Sequence, residues 1–406
     1  MGHGTWDSGQ GAWGTGHGAG DMGQGAWDMG QRARDMGQGA GDSGFGIRRR
    51  FCHYEDTVRT RFWLPVLLAL TLAAVPVAQA VPQHGAAAQE PVAGPPPFEE
   101  WLAALRMEAL EKGISQRTVD TALGSLERLP VVVERDRTQA ELTLTLDQYL
   151  KRRLPARVVR SARDMASKHR TELQRAASQY GVPRPFIVAI WALESNFGRF
   201  QGVRPTVATL ATLAYDGRRT TLFREELFAA LRILDSGEVQ PEALRGSWAG
   251  AMGQTQFMPS SYLKWAVDAD ADGRRDIWAS RADIFGSIAN YLKEHGWKTG
   301  ERWGREVRLS DATAARVGAA VPMRLTGACQ AVRDMTEARP LSTWRELGVT
   351  QKNGAALPRA DIAASLVRVD TRRFLVYGNY EALLGYNCAH TYALSVAFLA
   401  ERIGGR

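Results

Sequence analysis

The sequence predicts a mainly α-helical (α+β) protein with a small β-rich part late in the chain. Before Glu301, several segments carry apolar residues at helical spacing. From about residue 301 to 378, short β-like runs are interleaved with Gly and Pro. The 406 residues could hold two or three domains. However, the first part of the chain does not have the composition of folded protein.

Residues 6–46 are low-complexity sequence. They repeat with a period of seven, in units such as WDSGQGA and WDMGQRA, and are so rich in Gly that neither a helix nor a strand can pack. The repeat lacks the apolar seam of a coiled coil, and its tryptophans leave a carbohydrate-binding segment as the alternative to disorder. We expect residues 1–57 to lie outside the natural protein and translation to begin near Val58, since valine can reflect an alternative start codon.

Residues 58–80 have the pattern of a secretory signal peptide. Arg59 and Arg61 precede an apolar stretch at 62–77, and Ala78-Gln79-Ala80 forms a small-x-small cleavage site. The apolar stretch is short for a membrane span and contains two prolines. No cysteine lies at the cleavage site, so lipoprotein processing has no support. We therefore expect export to the periplasm without a stable membrane anchor.

A Pro/Ala linker at 81–97 precedes the folded domain, which we assign to residues 98–406. The first helix is predicted to end at Gly113, a natural C-cap. Helical patterns occur at 98–113, 115–128, 140–154, 156–180, 185–194, 224–236, 284–295 and 390–402. The β-like runs are REVRL (305–309), AAVPMRL (319–325), SLVRV (365–369) and RFLVY (373–377).

The net charge indicates the class of binding partner, and the cysteines indicate a disulfide. The net charge of +8 suits an anionic polymer such as a bacterial wall or a membrane surface. Lys and Arg are scattered without interleaved aromatic residues, which argues against a nucleic-acid partner. Signal cleavage leaves Cys329 and Cys388, and an oxidising compartment favours a disulfide between them. Two unpaired buried thiols are the alternative.

Glu194 closes a long apolar run and is the candidate proton donor. Pro185 suits the first turn of a helix, and the eight residues after it are so apolar that the helix must be buried. Burial and the partial negative charge of a helix C-terminus both disfavour a carboxylate there, which raises its pKa. A raised pKa lets a carboxylic acid deliver a proton near neutral pH. The alternative is a helix-end Glu that reaches solvent.

The segment at 246–262, GSWAGAMGQTQFMPSSY, is the candidate sugar-binding motif. Its amides and hydroxyls suit sugar hydroxyls and N-acetyl groups, and aromatic faces suit the apolar faces of sugar rings. Gly250 and Gly253 are expected to let a ligand approach the backbone closely. The alternative is a Gly-rich loop that merely starts a helix.

The third motif, DADADGRRD at 268–276, follows the opening of a calcium-binding loop. Asp268, Asp270 and Asp272 occupy positions one, three and five, and Gly follows at position six. Arg274 at position seven would contribute its backbone carbonyl. Position twelve is Ala instead of Glu, so Asp283 is the expected substitute. We predict a structural Ca²⁺ and no catalytic cofactor; the alternative is a solvated acidic turn.

Together ALESNFG, AGAMGQTQFMPSSY, VDADADGRRDIW and YLKEHGW resemble the membrane-bound lytic transglycosylase B family of bacterial wall enzymes, from about Phe98 to the C-terminus. The resemblance implies a lysozyme-like helical core, an N-terminal α subdomain and a small β subdomain. It also implies cleavage of the MurNAc–GlcNAc bond of peptidoglycan glycan strands with formation of 1,6-anhydro-MurNAc, and other cell-wall enzymes as possible partners. A hydrolytic muramidase and a non-catalytic peptidoglycan-binding protein are the competing functions.

The resemblance also assigns roles to residues. Glu194 matches the family's sole catalytic acid/base, and Ser247 matches the serine that hydrogen-bonds near it. The calcium ligands fall on Asp268, Asp270, Asp272, Arg274 and Asp283, with one extra residue after Trp278. Because Cys388 follows Asn387, a bridge from Cys329 would brace the groove wall. The residues expected to line the glycan groove are Gln256, Tyr291, Tyr386, Asn387, Tyr392 and Tyr149.

Overall fold

The computed structural model describes residues 96–137, 144–217 and 219–405. The predicted low-complexity segment, signal peptide and all but the end of the linker lie outside these ranges. The helices are α1 (Phe98–Glu111), α2 (Gln116–Leu123), α3 (Pro130–Arg137), α4 (Leu146–Arg153), α5 (Ala156–Lys168), α6 (Arg170–Tyr180), α7 (Arg184–Ser195), α8 (Thr206–Tyr215), α9 (Thr220–Asp235), α10 (Pro259–Trp265), α11 (Arg281–Glu294), α12 (Asp311–Ala320), α13 (Gln330–Arg333), α14 (Leu341–Glu346), α15 (Gly378–Tyr386) and α16 (His390–Ile403). The strands are β1 (Arg204–Pro205), β2 (Arg245–Gly246), β3 (Gly304–Arg308), β4 (Arg339–Pro340), β5 (Thr350–Gln351), β6 (Ala363–Val369) and β7 (Arg372–Val376).

Helix α7 is the buried centre of the helical part. It follows Pro183 and carries a second proline in its first turn, where the missing N–H costs nothing. Every residue from Ile187 to Ser195 is buried, and α5, α6, α11 and α16 pack around the helix. A fully buried Ile, Val or Leu side chain contributes roughly 1.5–3 kcal/mol relative to an exposed one. The packing therefore fixes the position of α7 firmly.

The β-rich part is a five-stranded antiparallel sheet in the order β4-β6-β7-β3-β5. The hairpin of β6 and β7 pairs Val369 with Arg372, and Asp370 at its turn has a positive φ of 52°. One set of side chains on these strands, including Phe374, belongs to the main core. Another set, including Leu375, packs around Trp344 in a second, smaller core. The sheet is therefore covered on both faces.

Two element predictions are wrong in detail. The pattern at 156–180 is two helices, because the chain leaves helical geometry at His169, whose ring packs edge-on against Trp191 and Phe285. The run at 319–325 is not a strand. It begins as the end of α12, an Ala-rich helix capped by Ser310, and continues as irregular chain with one isolated bridge at Met323. The predicted β-rich part thus contains three helices, α12 to α14.

Candidate active site

Glu194 lies in the last turn of α7, and its side chain is only 2% exposed. The helix ends in left-handed conformation at Asn196, with a φ of 48°, and Phe197 and Gly198 continue at positive φ. The chain therefore turns away directly after the carboxylate instead of carrying it to the surface. A helix-end glutamate that reaches solvent is excluded.

Burial dominates the electrostatics of Glu194. Desolvation raises the pKa of its carboxyl to about 7, while the Tyr392 hydroxyl and the Arg153 guanidinium lower that pKa by less. Tyr392 lies close enough to act on the carboxylate. Yet neither its hydroxyl nor Glu194 Oε1 has a hydrogen-bond partner of normal geometry among the described residues. Within the part of the chain that the structure describes, one carboxylate oxygen of Glu194 is thus left without a donor.

Arg153 is a site residue that the sequence analysis missed. Its guanidinium Nη2 donates to the Leu193 carbonyl at 3.0 Å, next to Glu194 in the chain. This bond places a positive charge at the end of α7, where helix carbonyls are left without helical partners. The available signal was the spacing in LDQYLKRRL, because Arg153 lies one helical turn after Tyr149 on α4.

Two hydroxyls near Glu194 are also without partners. Tyr149 on α4 and Tyr392 on α16 are buried, and their hydroxyl oxygens make no hydrogen bond among the described residues. Desolvation raises the pKa of each tyrosine, and the nearby charge of Glu194 raises it further. Buried polar atoms are normally satisfied, so hydroxyls left open around a carboxylate indicate a place for a polar ligand.

Ser247 lies in a tight, buried turn after β2. Its hydroxyl oxygen accepts hydrogen bonds from the backbone N–H groups of Ala251 at 3.1 Å and Ala249 at 3.3 Å. The turn needs Gly250 at a φ of 89°, and a side chain there would collide with Leu210. The space that a side chain at this position would need is occupied by Leu210.

Gln254 and Gln256 lie on either side of a buried threonine, and their side chains make different hydrogen bonds. The side-chain oxygen of Gln254 accepts from Trp191 at 2.7 Å, and its amide nitrogen donates to the Trp278 carbonyl at 2.6 Å. Gln254 thereby connects α7 to the end of the acidic loop, the segment 268–278 that carries the predicted calcium ligands. Gln256 has a φ of 51° and donates to the Gly253 carbonyl. A non-glycine residue in this region is strained, and such strain gathers at functional sites.

Three of the four tyrosines predicted for the groove form one cluster. The Tyr291 and Tyr386 rings lie 4.7 Å apart, and the Tyr386 and Tyr392 rings are 6.4 Å apart. The Tyr291 hydroxyl donates to the Gly385 carbonyl and the Tyr386 hydroxyl to the Thr255 carbonyl, each at 2.7 Å. These bonds lock two of the rings in place. Asn387 follows Tyr386 directly and is buried.

The acidic loop brings three of its predicted ligands together. Carboxylate oxygens of Asp268, Asp270 and Asp283 lie within 4.8 Å of one another. An all-oxygen donor set of this kind fits a hard cation such as Ca²⁺. Asp272 is outside this group and accepts from the Arg274 backbone N–H at 2.8 Å. The Arg274 side chain is exposed.

The structure joins Cys329 and Cys388 in a disulfide. Cys329 precedes α13, and Cys388 lies between α15 and α16, one residue after Asn387. The bridge spans 59 positions of the sequence and ties the segment before α13 to the turn that carries Asn387. Both cysteines are buried in the main core.

Comparison with known proteins identifies the family of the chain. A family model described as a transglycosylase SLT domain matches residues 97–401. The membrane-bound lytic murein transglycosylase B of Escherichia coli (strain K12) is 42% identical over 137 residues, 34% of this chain and 38% of that protein. The chain thus spans well under half the length of this curated relative.

Solved structures with the same fold extend the comparison. SltB3 from Pseudomonas aeruginosa, in complex with NAG-NAM-pentapeptide, is 40% identical over 76% of this chain and 80% of that chain, with a TM-score of 0.69. The Escherichia coli lytic transglycosylase Slt35, in complex with calcium, is 27% identical over 75% of this chain and 92% of that chain, with a TM-score of 0.62. The resemblance and the fold class predicted from sequence are both confirmed, and the chain belongs to the transglycosylase SLT domain family.

Proposed function

We propose that this protein is a lytic transglycosylase that cleaves the MurNAc–GlcNAc bond of peptidoglycan with Glu194 as its single acid and base. The supporting observation is a buried carboxyl whose pKa is raised to about 7 and one of whose oxygens has no donor in the described ranges. Ordinary glycosidases use two carboxylates about 5–10 Å apart. Among the described residues, no second carboxylate contributes to the pKa shift of Glu194.

A single carboxyl can perform both steps of this reaction. Protonated Glu194 donates its proton to the glycosidic oxygen, and the bond from C1 of MurNAc to that oxygen breaks. The resulting carboxylate then takes the proton of the C6 hydroxyl of the same MurNAc. The C6 oxygen bonds to C1 and closes the 1,6-anhydro ring. Glu194 ends protonated again and no water is consumed. A pKa near 7 suits a group that must give and take a proton in turn.

The groove residues would hold the glycan. The open hydroxyls of Tyr149 and Tyr392 are placed to exchange hydrogen bonds with sugar hydroxyls beside Glu194. Ser247 would bind near the N-acetyl group, and its bonds to Ala249 and Ala251 hold its oxygen in one position. Gln256, Tyr291, Tyr386 and Asn387 complete the binding surface. An intramolecular nucleophile makes such positioning especially effective.

Asp268, Asp270 and Asp283 would hold a structural Ca²⁺, joined by Asp272 and the Arg274 carbonyl on small movements of the loop. A bound Ca²⁺ would offset most of the charge of the three clustered carboxylates. Gln254 connects this loop to Trp191 on α7, so an ordered loop supports the helix that carries Glu194. The ion has no part in the chemical steps.

The expected location is the periplasm, where the wall polymer lies, and it rests on the signal pattern at 58–80. Among residues 96–137, 144–217 and 219–405, no helix is both long and apolar enough to cross a membrane. Other wall enzymes are the proposed protein partners.

Mass spectrometry of released muropeptides tests the proposal. A transglycosylase leaves anhydro ends that are lighter by one water than hydrolysis products. Reducing ends in place of anhydro ends would identify a muramidase on the same scaffold. Binding to purified sacculi without any released product would identify a non-catalytic wall-binding protein.

A further inference from the structure

The turn of the β6–β7 hairpin lies against the start of α4. Asp370 occupies this turn in left-handed conformation, with a φ of 52°, and its Oδ2 accepts a hydrogen bond from the backbone N–H of Leu146, the first residue of α4. The first N–H groups of a helix have no partner inside the helix, and negative charge is favourable at that end. The β-rich part of the chain thus caps a helix that lies 224 positions earlier in the sequence.

Arg372, the first residue of β7, makes a second link to the same helix. Its guanidinium pairs with the Asp147 carboxylate on α4 at 2.9 Å. The same guanidinium donates two hydrogen bonds to Glu306 on β3, at 2.8 and 2.9 Å, and lies 5.2 Å from the centre of the Phe398 ring on α16. An arginine held by a bidentate carboxylate and by an aromatic ring has little freedom to move. Arg372 therefore presents a fixed charge to α4.

Helix α4 is short and depends on such contacts for its position. It has eight residues, and helices of this length are marginal on their own. The hairpin holds its start, and α7 holds its end, where Arg153 donates to the Leu193 carbonyl at 3.0 Å. Between these two ends lies Tyr149, which is buried and whose pKa is raised by burial and by the charge of Glu194. At 1.5 Å per residue, Tyr149 is about 3 Å along the helix axis from Asp147, so a shift of α4 at the hairpin would reach the Tyr149 hydroxyl.

We propose that the β6–β7 hairpin positions α4 so that the Tyr149 hydroxyl meets the substrate beside Glu194. Asp370 and Arg372 are then positioning residues for the reaction, which act through α4 and not by contact with the sugar. The inference rests on the proposed function, in which the open hydroxyl of Tyr149 binds a sugar hydroxyl. It gives the β-rich part of the chain a role in the reaction rate.

The first test removes the acceptor at the hairpin turn and keeps the turn itself. Asp370→Gly tolerates the positive φ but has no side-chain acceptor, whereas Asp370→Asn keeps an oxygen that can accept from the Leu146 N–H. Asp370→Gly should lower kcat/KM for purified glycan strands about fivefold, and Asp370→Asn should recover most of that loss. Equal losses in the two variants, or no loss in Asp370→Gly, would overturn the role of Asp370.

The second test breaks the charge pair from either side. Arg372→Gln and Asp147→Asn should each lower kcat/KM about two- to fivefold, a modest factor because Asp147 is exposed. Asp147→Asn leaves the bonds between Arg372 and Glu306 intact, so it decides the outcome if Arg372→Gln fails to fold. Lys352→Gln is the matched control, because Lys352 also pairs with Glu306, at 2.8 Å, and makes no ion pair with α4 among the described residues. It should behave as wild type; a loss as large as that of Asp147→Asn would contradict a role through α4.

A double-mutant cycle with Tyr149→Phe distinguishes positioning from general stability. If the hairpin acts through the Tyr149 hydroxyl, Asp370→Gly and Asp147→Asn should lower kcat/KM by less than about twofold once that hydroxyl is absent. A merely structural role would give the same factor with and without the hydroxyl, and that result would overturn the inference.

A binding measurement separates this inference from the proposed function. With Glu194→Gln as the background, the Kd for purified glycan strands can be measured without turnover, and Asp370→Gly should raise it only while Tyr149 is present. That result supports the role of the hairpin even if wild-type protein yields no anhydro product. Anhydro product, together with a Kd change that is the same in the Tyr149→Phe variant, would support the function and reject the role of the hairpin.

Discussion

The end of α7 and the acidic loop each bury a carboxyl group, and the two groups are held differently. Glu194 is 2% exposed and Asp283 is 0% exposed, and burial raises their pKa values to about 7 and about 6. Asp283 accepts from the backbone N–H groups of Ala269 and Asp276, each at 2.7 Å, whereas Glu194 Oε1 accepts no hydrogen bond from any residue that the structure describes. Burial thus sets a similar pKa in both places. The hydrogen bonds decide which carboxyl is free to pass a proton to a ligand.

The largest expected effect is on the turnover rate, when the carboxyl that is free to pass a proton is removed. Glu194→Gln removes the only proposed proton donor and should lower kcat by a factor on the order of 10³ or more. The rate of release of anhydro-muropeptides measures this loss of kcat. Glu111→Gln is the control, because Glu111 also ends a helix but is exposed, and it should leave the rate unchanged. Wall digestion by Glu194→Gln at a near wild-type rate would reject the assignment.

Glu194→Gln should also make the protein more stable at alkaline pH. The folded pKa of about 7 lies above the unfolded value of 4.5. The folded state therefore holds the proton more tightly, and the free energy of unfolding falls as pH rises from 4.5 through 7. The glutamine variant lacks this loss and should gain about 3 kcal/mol above pH 7, with no gain below pH 4.5. Urea unfolding at pH 4 and pH 8 measures the free energy of unfolding of the variant and the wild type. An equal difference between them at the two pH values would contradict the prediction.

At pH 4, below the Asp283 pKa of about 6, Asp283→Asn should lower the free energy of unfolding; at higher pH it also removes a buried charge repelled by Asp268 and Asp270, which offsets that loss. Asparagine offers one oxygen where Asp283 uses two, so one backbone N–H is left unsatisfied and the cost is about 1–3 kcal/mol. The Asn variant should also lose the rise in Tm that added Ca²⁺ gives the wild type. Asp311→Asn, an exposed first-turn Asp on α12, is the control. A chelator that leaves the wild-type Tm unchanged would count against the calcium site.

Glu194 and its helix could be predicted from the sequence, because an apolar run closed by a carboxylate defines both the burial and the raised pKa. Ser247, Gln256 and the groove tyrosines came from the family resemblance, since their meeting depends on distant segments. The spacing of Arg153 from Tyr149 places both on one side of α4, but the role of Arg153 depends on the end of α4 lying beside the end of α7. His169 shows the same limit for helices, since tertiary packing of its ring accompanies the break between α5 and α6.

The smallest expected effect is a shift in the pH profile, and it tests how Arg153 tunes Glu194. The Arg153 cation favours the ionised form of Glu194, so Arg153→Gln should raise the pKa of Glu194. The alkaline limb of kcat, on which the acid loses its proton, should then move upward by a fraction of a pH unit to about one unit. Arg160 is exposed, so Arg160→Gln should leave the alkaline limb of kcat at the same pH. A lower rate with an unmoved limb would show that Arg153 only holds the Leu193 carbonyl. An upward shift would show that a cation at the helix end counteracts burial at Glu194, whereas the neighbouring charges at Asp283, those of Asp270 and Asp268, add to the effect of burial.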